Sequence, residues 1–157
     1  MYNIELITIG EIKKGTIRDL ADMYLKHLKP FVKISYTPLK AVAFRNQSQT
    51  KNVLTEEANT IQTKLKPNNF KILLTEHGTE FASEQFATKL AIWSENGARH
   101  VQIIIGGPLG IDKSLSKNVD QTLSLSRMTF PHDIAHILLL EQLYRAFTIQ
   151  TKKTYHY

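Results

Sequence analysis

Along this chain the hydrophobic pattern switches repeatedly between the period of a strand and that of a helix, and this alternation restricts the fold more than any other feature. Ile4 to Ile9 is a run rich in β-branched residues closed by Gly10. Ile17, Leu20, Ala21, Tyr24 and Leu28 then recur at helical spacing up to Pro30. A strand-like "VKISYTPL" follows, then the polar, basic "KAVAFRNQSQTK", which reads as a loop, then a helical pattern on Val53, Leu54, Ala58, Ile61 and Leu65. The strand "FKILLT" ends at "EHGTE", and Ser83 is placed to cap a helix that buries Phe86, Leu90 and Trp93 and stops at Asn96-Gly97. Next come the strand "HVQIIIGG" and the segment "TLSLSRMTFPHDIAHILLLEQLYRAF", which passes from an alternating strand through a loop into a long helix with Pro131 in its first turn. Strand, helix, strand in succession predicts an α/β fold: a mostly parallel sheet with helices on both faces, because parallel strands need crossover connections.

The 157 residues fit one domain, 1–157, without repeats or linkers. Lysine and arginine outnumber acids 20 to 14, a formal charge of +6, on a chain that is 42% hydrophobic. This excludes disorder as the main state and favours polyanionic partners through phosphate contacts. The absence of cysteine excludes disulfides, iron–sulfur ligation and thiol nucleophiles. No stretch approaches the ~20 apolar residues of a membrane span, so the expectation is a cytoplasmic protein with no membrane partner.

In parallel sheets ligands bind beyond the carboxyl ends of the strands, which directs attention to the loops after Leu74, Ile105 and Leu125. In the first, "LLTEHGTE", Glu76 and His77 read either as an acid–base pair or as solvated turn residues, and Gly78 as a turn glycine. In the second, "IIIGGPLGID", two glycines directly after a buried strand let backbone approach a ligand, although neither a Walker A loop nor G-x-G-x-x-G is present. In the third, "LSRMTF" is an extended segment of small and apolar side chains whose peptide groups would make a wall for a purine. The helix beyond it is apolar nearly all round, through Ile134, Ile137, Leu138, Leu139, Leu140, Leu143 and Phe147, so it must be covered on several sides; on a domain this small a symmetric dimer is the expected cover. His132 and His136, four apart with Asp133 beside them, have a metal-like spacing but lack a third ligand of the H-E-x-x-H kind, and no metal is expected. His132, near a helix N-terminus, is expected to act neutral, as a hydrogen-bonding group, or to be structural. On residues alone, two further classes stay open: a nucleic-acid-binding module without catalysis, and a metal-dependent hydrolase using His132, Asp133 and His136.

The order "IIIGGPLG", "LSLSRMTFPH", "EQLYRAF" and a terminal "YH" resembles the 23S ribosomal RNA pseudouridine N3-methyltransferase family, small single-domain members of the SPOUT methyltransferase class. The resemblance runs over nearly the whole chain and is strongest from Val101 to Tyr157. It implies a C-terminal trefoil knot, S-adenosylmethionine as cofactor, a homodimer with its site at the interface, and methylation of N3 of a pseudouridine in 23S rRNA. The cofactor contacts it implies are Leu74, Gly106, Leu125, Ser126, Arg127, Met128, Thr129 and Phe130. Two positions depart from the family pattern: His136 stands where an arginine is expected, making a fixed charge titratable, and Tyr157 is an extra terminal residue. On this resemblance Arg145 is expected to stabilise the developing uracil anion. Tyr155 and His156 are expected to close over the base and take its proton, with Lys152 and Lys153 meeting phosphate. With +6 on one small domain, the expected substrate is the assembled 70S ribosome, whose shape adds specificity.

Overall fold

The computed structural model describes residues 2–97 and 99–153. Among them are five strands, β1 (Tyr2–Ile9), β2 (Val32–Leu39), β3 (Phe70–Glu80), β4 (His100–Ile105) and β5 (Gln121–Ser124). The α-helices are α1 (Thr16–Leu28), α2 (Thr50–Gln62), α3 (Ser83–Asn96) and α4 (His132–Gln150). The strands form one sheet in the order β2-β1-β4-β3-β5, with every pairing parallel.

Side chains alternate across a strand, and the sequences of β1, β3 and β4 supply apolar residues to both faces. Ile4 and Leu6 of β1, Ile72 of β3 and Val101, Ile103 and Ile105 of β4 pack with α1, α3 and α4. Ile7, Ile9, Leu73 and Ile104 pack on the opposite face with Ala58 and Ile61 of α2 and with Leu115 from a short turn of helix before β5. One polar residue is wholly buried in this second layer. The Gln102 amide donates to Glu5 Oε2 and to the Lys64 carbonyl, each at 2.9 Å, and accepts from the Lys66 N–H at 2.8 Å. It thereby pins the α2–β3 connection to the middle of the sheet.

α4 is covered on much of its surface, lying against the sheet with α1 and α3 on either side, while Ile134 and Ile149 stay exposed. Its far end reaches the amino-terminal edge of the sheet. There the Phe147 ring is 5.8 Å from that of Tyr2 and 6.1 Å from that of Phe31, and Tyr144 sits 6.2 Å from Phe31. The helix therefore starts at the carboxyl ends of the strands and finishes at their amino ends.

Two local expectations are corrected. β3 does not end before "EHGTE" but continues to Glu80, pairing Leu74 and then, after an irregularity, Thr79 with the same Leu123 of β5. Gly78 makes this possible: a Cβ there would stand 2.5 Å from the Leu123 carbonyl carbon and 2.7 Å from its nitrogen. It is a glycine for close backbone approach and not for a turn. Ser83 is the first residue of α3 and not its cap; its hydroxyl donates to Gln142 of α4 at 2.9 Å, while the Gln85 carboxamide accepts from the Ala82 N–H at 2.9 Å.

Candidate functional site

The strand register brings the three expected loops together. Leu74 of β3 is paired with Ile105 on one side and with Leu123 on the other, so Gly106 and Leu125 each follow closely on a neighbour of Leu74. Adjacent strands lie ~4.8 Å apart, so the three chain segments span roughly 10 Å at one edge of the sheet.

The glycine loop after β4 doubles back on itself. A Cβ on Gly106 would collide with the carbonyl oxygen of Gly110 and come within 3.3 Å of Ile111 Cβ. Gly110 has φ +87° and donates its N–H to the Gly107 carbonyl at 3.0 Å. The result is a wall of bare peptide. Beneath it lies Glu57 of α2, buried, with Oε2 3.9 Å from where a Gly107 Cβ would be and Oε1 accepting from the Val42 N–H at 3.1 Å. Burial raises its pKa. Sequence reading passed over Glu57; the available signal was an acid next to Ala58 on the apolar stripe of α2, between Val53 and Ile61.

In the segment after β5, Leu125, Ser126 and Phe130 are half-buried, while Arg127, Met128 and Thr129 are exposed. The segment holds its own shape: Ser124 Oγ donates to the Ser126 carbonyl at 2.9 Å, and Ser126 Oγ accepts from the Met128 N–H at 3.0 Å. Among the described residues, the peptide groups of Arg127, Thr129 and Phe130 bond to no other peptide. Two side chains of β3 tie the segment down. Thr129 Oγ1 donates to Glu76 Oε2 at 2.7 Å, and Arg127 Nε stands 3.6 Å from Glu80 Oε1. Glu76 is thus a tether between β3 and the segment after β5; His77 stands 3.5 Å from its other oxygen, with both side chains largely exposed to solvent.

The remaining expected residues lie on α4 or beyond it. His132 is at the first turn, its Nε2 3.0 Å from Asp133 Oδ1. His136, one turn on, is buried, and its Nε2 pairs with the Tyr36 hydroxyl at 3.0 Å. Burial lowers its pKa to about 4, with Asp133 opposing the shift and His132 and Arg18 adding to it. The expectation of a titratable charge at this position is therefore corrected: His136 is neutral across the physiological range. Among the described residues, no group of three or more histidine, aspartate and glutamate side chains comes together as a metal would require, and no helix is long and apolar enough to cross a membrane.

Arg145 is not brought to the three loops by its own chain. It is thirteen positions after His132, a helical rise of about 20 Å, beside the Tyr144 and Phe147 rings that mark the opposite edge of the sheet. Its guanidinium donates to Glu141 Oε1 through Nε at 3.1 Å and through Nη2 at 2.5 Å, and Gln142 donates to the other Glu141 oxygen at 2.6 Å. Lys153 Nζ lies 4.9 Å above the Phe31 ring. Tyr155, His156 and Tyr157 lie outside the described residues.

The family described as predicted SPOUT methyltransferase matches residues 2–156. Ribosomal RNA large subunit methyltransferase H of Kosmotoga olearia is 40% identical over 158 residues, covering 99% of each chain. The protein of the same name in Bifidobacterium animalis subsp. lactis is 34% identical over 157 residues, 98% of this chain and 99% of its own. Among solved structures, Lpg2936 of Legionella pneumophila, with its bound cofactor SAM, is 14% identical at a TM-score of 0.47, covering 89% of this chain, which spans 65% of its length.

Proposed function

The chain belongs to the SPOUT methyltransferase family, and on that premise we propose that it is an S-adenosylmethionine-dependent methyltransferase of large-subunit ribosomal RNA, acting in the cytoplasm on N3 of a pseudouridine in the assembled 70S ribosome. The observation that carries this reading is the register at Leu74, which gathers Leu74, Gly106 and the segment Leu125 to Phe130 at one edge of the sheet. Those residues fit the cofactor. Gly106 sits where any Cβ would collide with Gly110, and Arg127, Thr129 and Phe130 offer unshared peptide groups to the edge of a purine. A trefoil knot belongs to the same reading. The chain leaves β4 inside the sheet, rejoins it beyond β3 as β5, and turns back along α4, a route that threading would need.

S-adenosylmethionine, when bound, supplies an electrophilic methyl group on a sulfonium. The protein's own task is to position the base and deal with the N3 proton. Arg145, oriented by Glu141, stabilises negative charge on the uracil carbonyls; His156 accepts the proton, Tyr155 covers the base, and His132 stays beside Asp133 as a hydrogen-bonding group at the loop exit. Because Arg145 lies about 20 Å along α4 from the cofactor loops of its own chain, this division of labour calls for a homodimer in which each site takes its arginine and tail from the second copy.

The test is transfer of labelled methyl from S-adenosylmethionine to 70S ribosomes from cells lacking the endogenous activity, beside naked 23S rRNA. Label recovered as N3-methylpseudouridine on ribosomes alone is the expected result. Equal label on naked RNA would remove the requirement for assembly, and no label together with no cofactor binding by calorimetry would overturn the function.

A further inference from the structure

Besides the cofactor loops, the described residues enclose a cavity of about 320 Å³ between α1, α4 and the carboxyl ends of β1 and β2. A larger depression, about 560 Å³, lies at the opposite edge of the sheet, where Pro67, Asn69 and Asp120 meet the start of β3, and belongs to no cluster of reactive groups. The smaller cavity has apolar walls from Ile12, Ala21, Leu25 and Pro38 and a floor made by the paired rings of Tyr36 and His136. These rings stack at 5.4 Å with 21° between their planes. Tyr36 remains 36% exposed, so part of it is open to a ligand. Arg18 and Glu11 line the mouth, Arg18 being bonded to Asp22 at 3.1 Å, and Lys13, Lys14 and Lys40, one or two positions in sequence from the lining residues Ile12 and Pro38, are exposed.

This is the chemistry of a nucleobase site. The floor is aromatic and uncharged, the walls are apolar, and exposed lysines next in sequence to the lining residues suit the phosphates on either side of a base. A phosphate itself would find no cation on the floor. The volume is at the lower end of the ~300–1,000 Å³ typical of small-ligand pockets, enough for one base and part of its sugar. Position decides which base. The cavity stands over β1 and β2, about two strand spacings, or roughly 10 Å, from the loops at β4 and β3, whereas in-line transfer needs reacting atoms within ~3.5 Å. We propose that this cavity receives an unstacked base of the RNA neighbouring the methylated nucleotide, a subsite that rests on the reading of the chain as an rRNA methyltransferase.

Ile12→Trp fills the cavity from its loop side without touching the cofactor segments. Expected is a rise of tenfold or more in KM for ribosomes, with kcat at saturation within about twofold and unchanged S-adenosylmethionine affinity by calorimetry. In the wild type, irradiation with 70S ribosomes whose RNA carries 5-iodouridine is expected to cross-link Tyr36, located by mass spectrometry, which needs no variant to fold. An unchanged KM in a wild-type-active background with no adduct at Tyr36 overturns the subsite alone. So does an Ile12→Trp chain whose only change is a weakened dimer by sedimentation, since the cavity would then hold a side chain of a second copy. A wild type that transfers no methyl overturns the parent reading, and this one with it.

Discussion

The hydroxyl of Tyr36 on β2 and Nε2 of His136 on α4 stand 3.0 Å apart although 100 positions separate them in the chain. The bond fastens the first turns of α4, and hence the exit of the Leu125–Phe130 segment, to the edge strand β2. Burial keeps His136 neutral by lowering its pKa to about 4, against an unfolded value near 6.5. Between these values the unfolded chain binds more protons, so this contribution is full above pH 6.5 and is lost as pH falls towards 4, by up to about 3 kcal/mol. Urea unfolding at pH 7, 5.5 and 4.5 is expected to show that loss in the wild type and a shallower one in His136→Gln, which keeps a polar partner for Tyr36.

Gly78→Ala is expected to destabilise the fold by about 1–3 kcal/mol or more, because the new methyl meets rigid backbone of Leu123 and not the end of a flexible side chain. Thermal denaturation measures the loss. Cofactor affinity should fall as well, since β5 carries Leu125 and the residues after it.

Thr129→Val keeps the shape of the side chain and removes its 2.7 Å bond to Glu76. A hydrogen bond of this kind contributes about 1 kcal/mol, so S-adenosylmethionine affinity is expected to drop roughly three- to tenfold by calorimetry with stability nearly unchanged. Glu76→Gln should fall in between.

Arg145→Ala is expected to lower kcat at least a hundredfold with the cofactor Kd unaltered, and Gly106→Val to abolish cofactor binding. If each site draws on two chains, mixing the two inactive proteins restores one intact site per heterodimer. The check is methyl transfer after co-refolding: recovery of a substantial fraction of wild-type activity is expected, and none would place Arg145 and its cofactor loops within one chain.

Glu57 has a raised pKa. Its folded form therefore binds a proton more readily than its unfolded form, and stability from this group declines as pH rises through that window. Glu57→Gln, which can still accept from Val42, is expected to raise the melting temperature at pH 8 by more than at pH 5.

The alternation of strand and helix could be read directly because the central strands β1 and β4 and the first half of β3, packed on both faces, are largely apolar. Leu74, Gly106 and the Leu125–Phe130 segment were accessible for the same reason: strand ends in a parallel sheet share one edge. What sequence could not show depends on contacts between distant residues. Gly78 is indistinguishable from a turn glycine until Leu123 is known to lie against it. His136 looks like a pH-sensitive group until Tyr36 and the surrounding core remove it from water. Likewise, the pattern of α4 shows a helix in need of cover but not that its two ends serve opposite edges of the sheet.

β3 remains an unpaired edge until residues 121–124 arrive to bond with it. During synthesis a chain already carrying β1 to β4 would present an open sheet margin and lack part of the proposed cofactor site, since the segment from Leu125 to Phe130 emerges only later. Cofactor binding can therefore serve as a timer of maturation: in a stalled-ribosome series of lengthening chains, retention of S-adenosylmethionine should switch on only after the terminal helix has cleared the exit tunnel, well after most of the sheet has assembled.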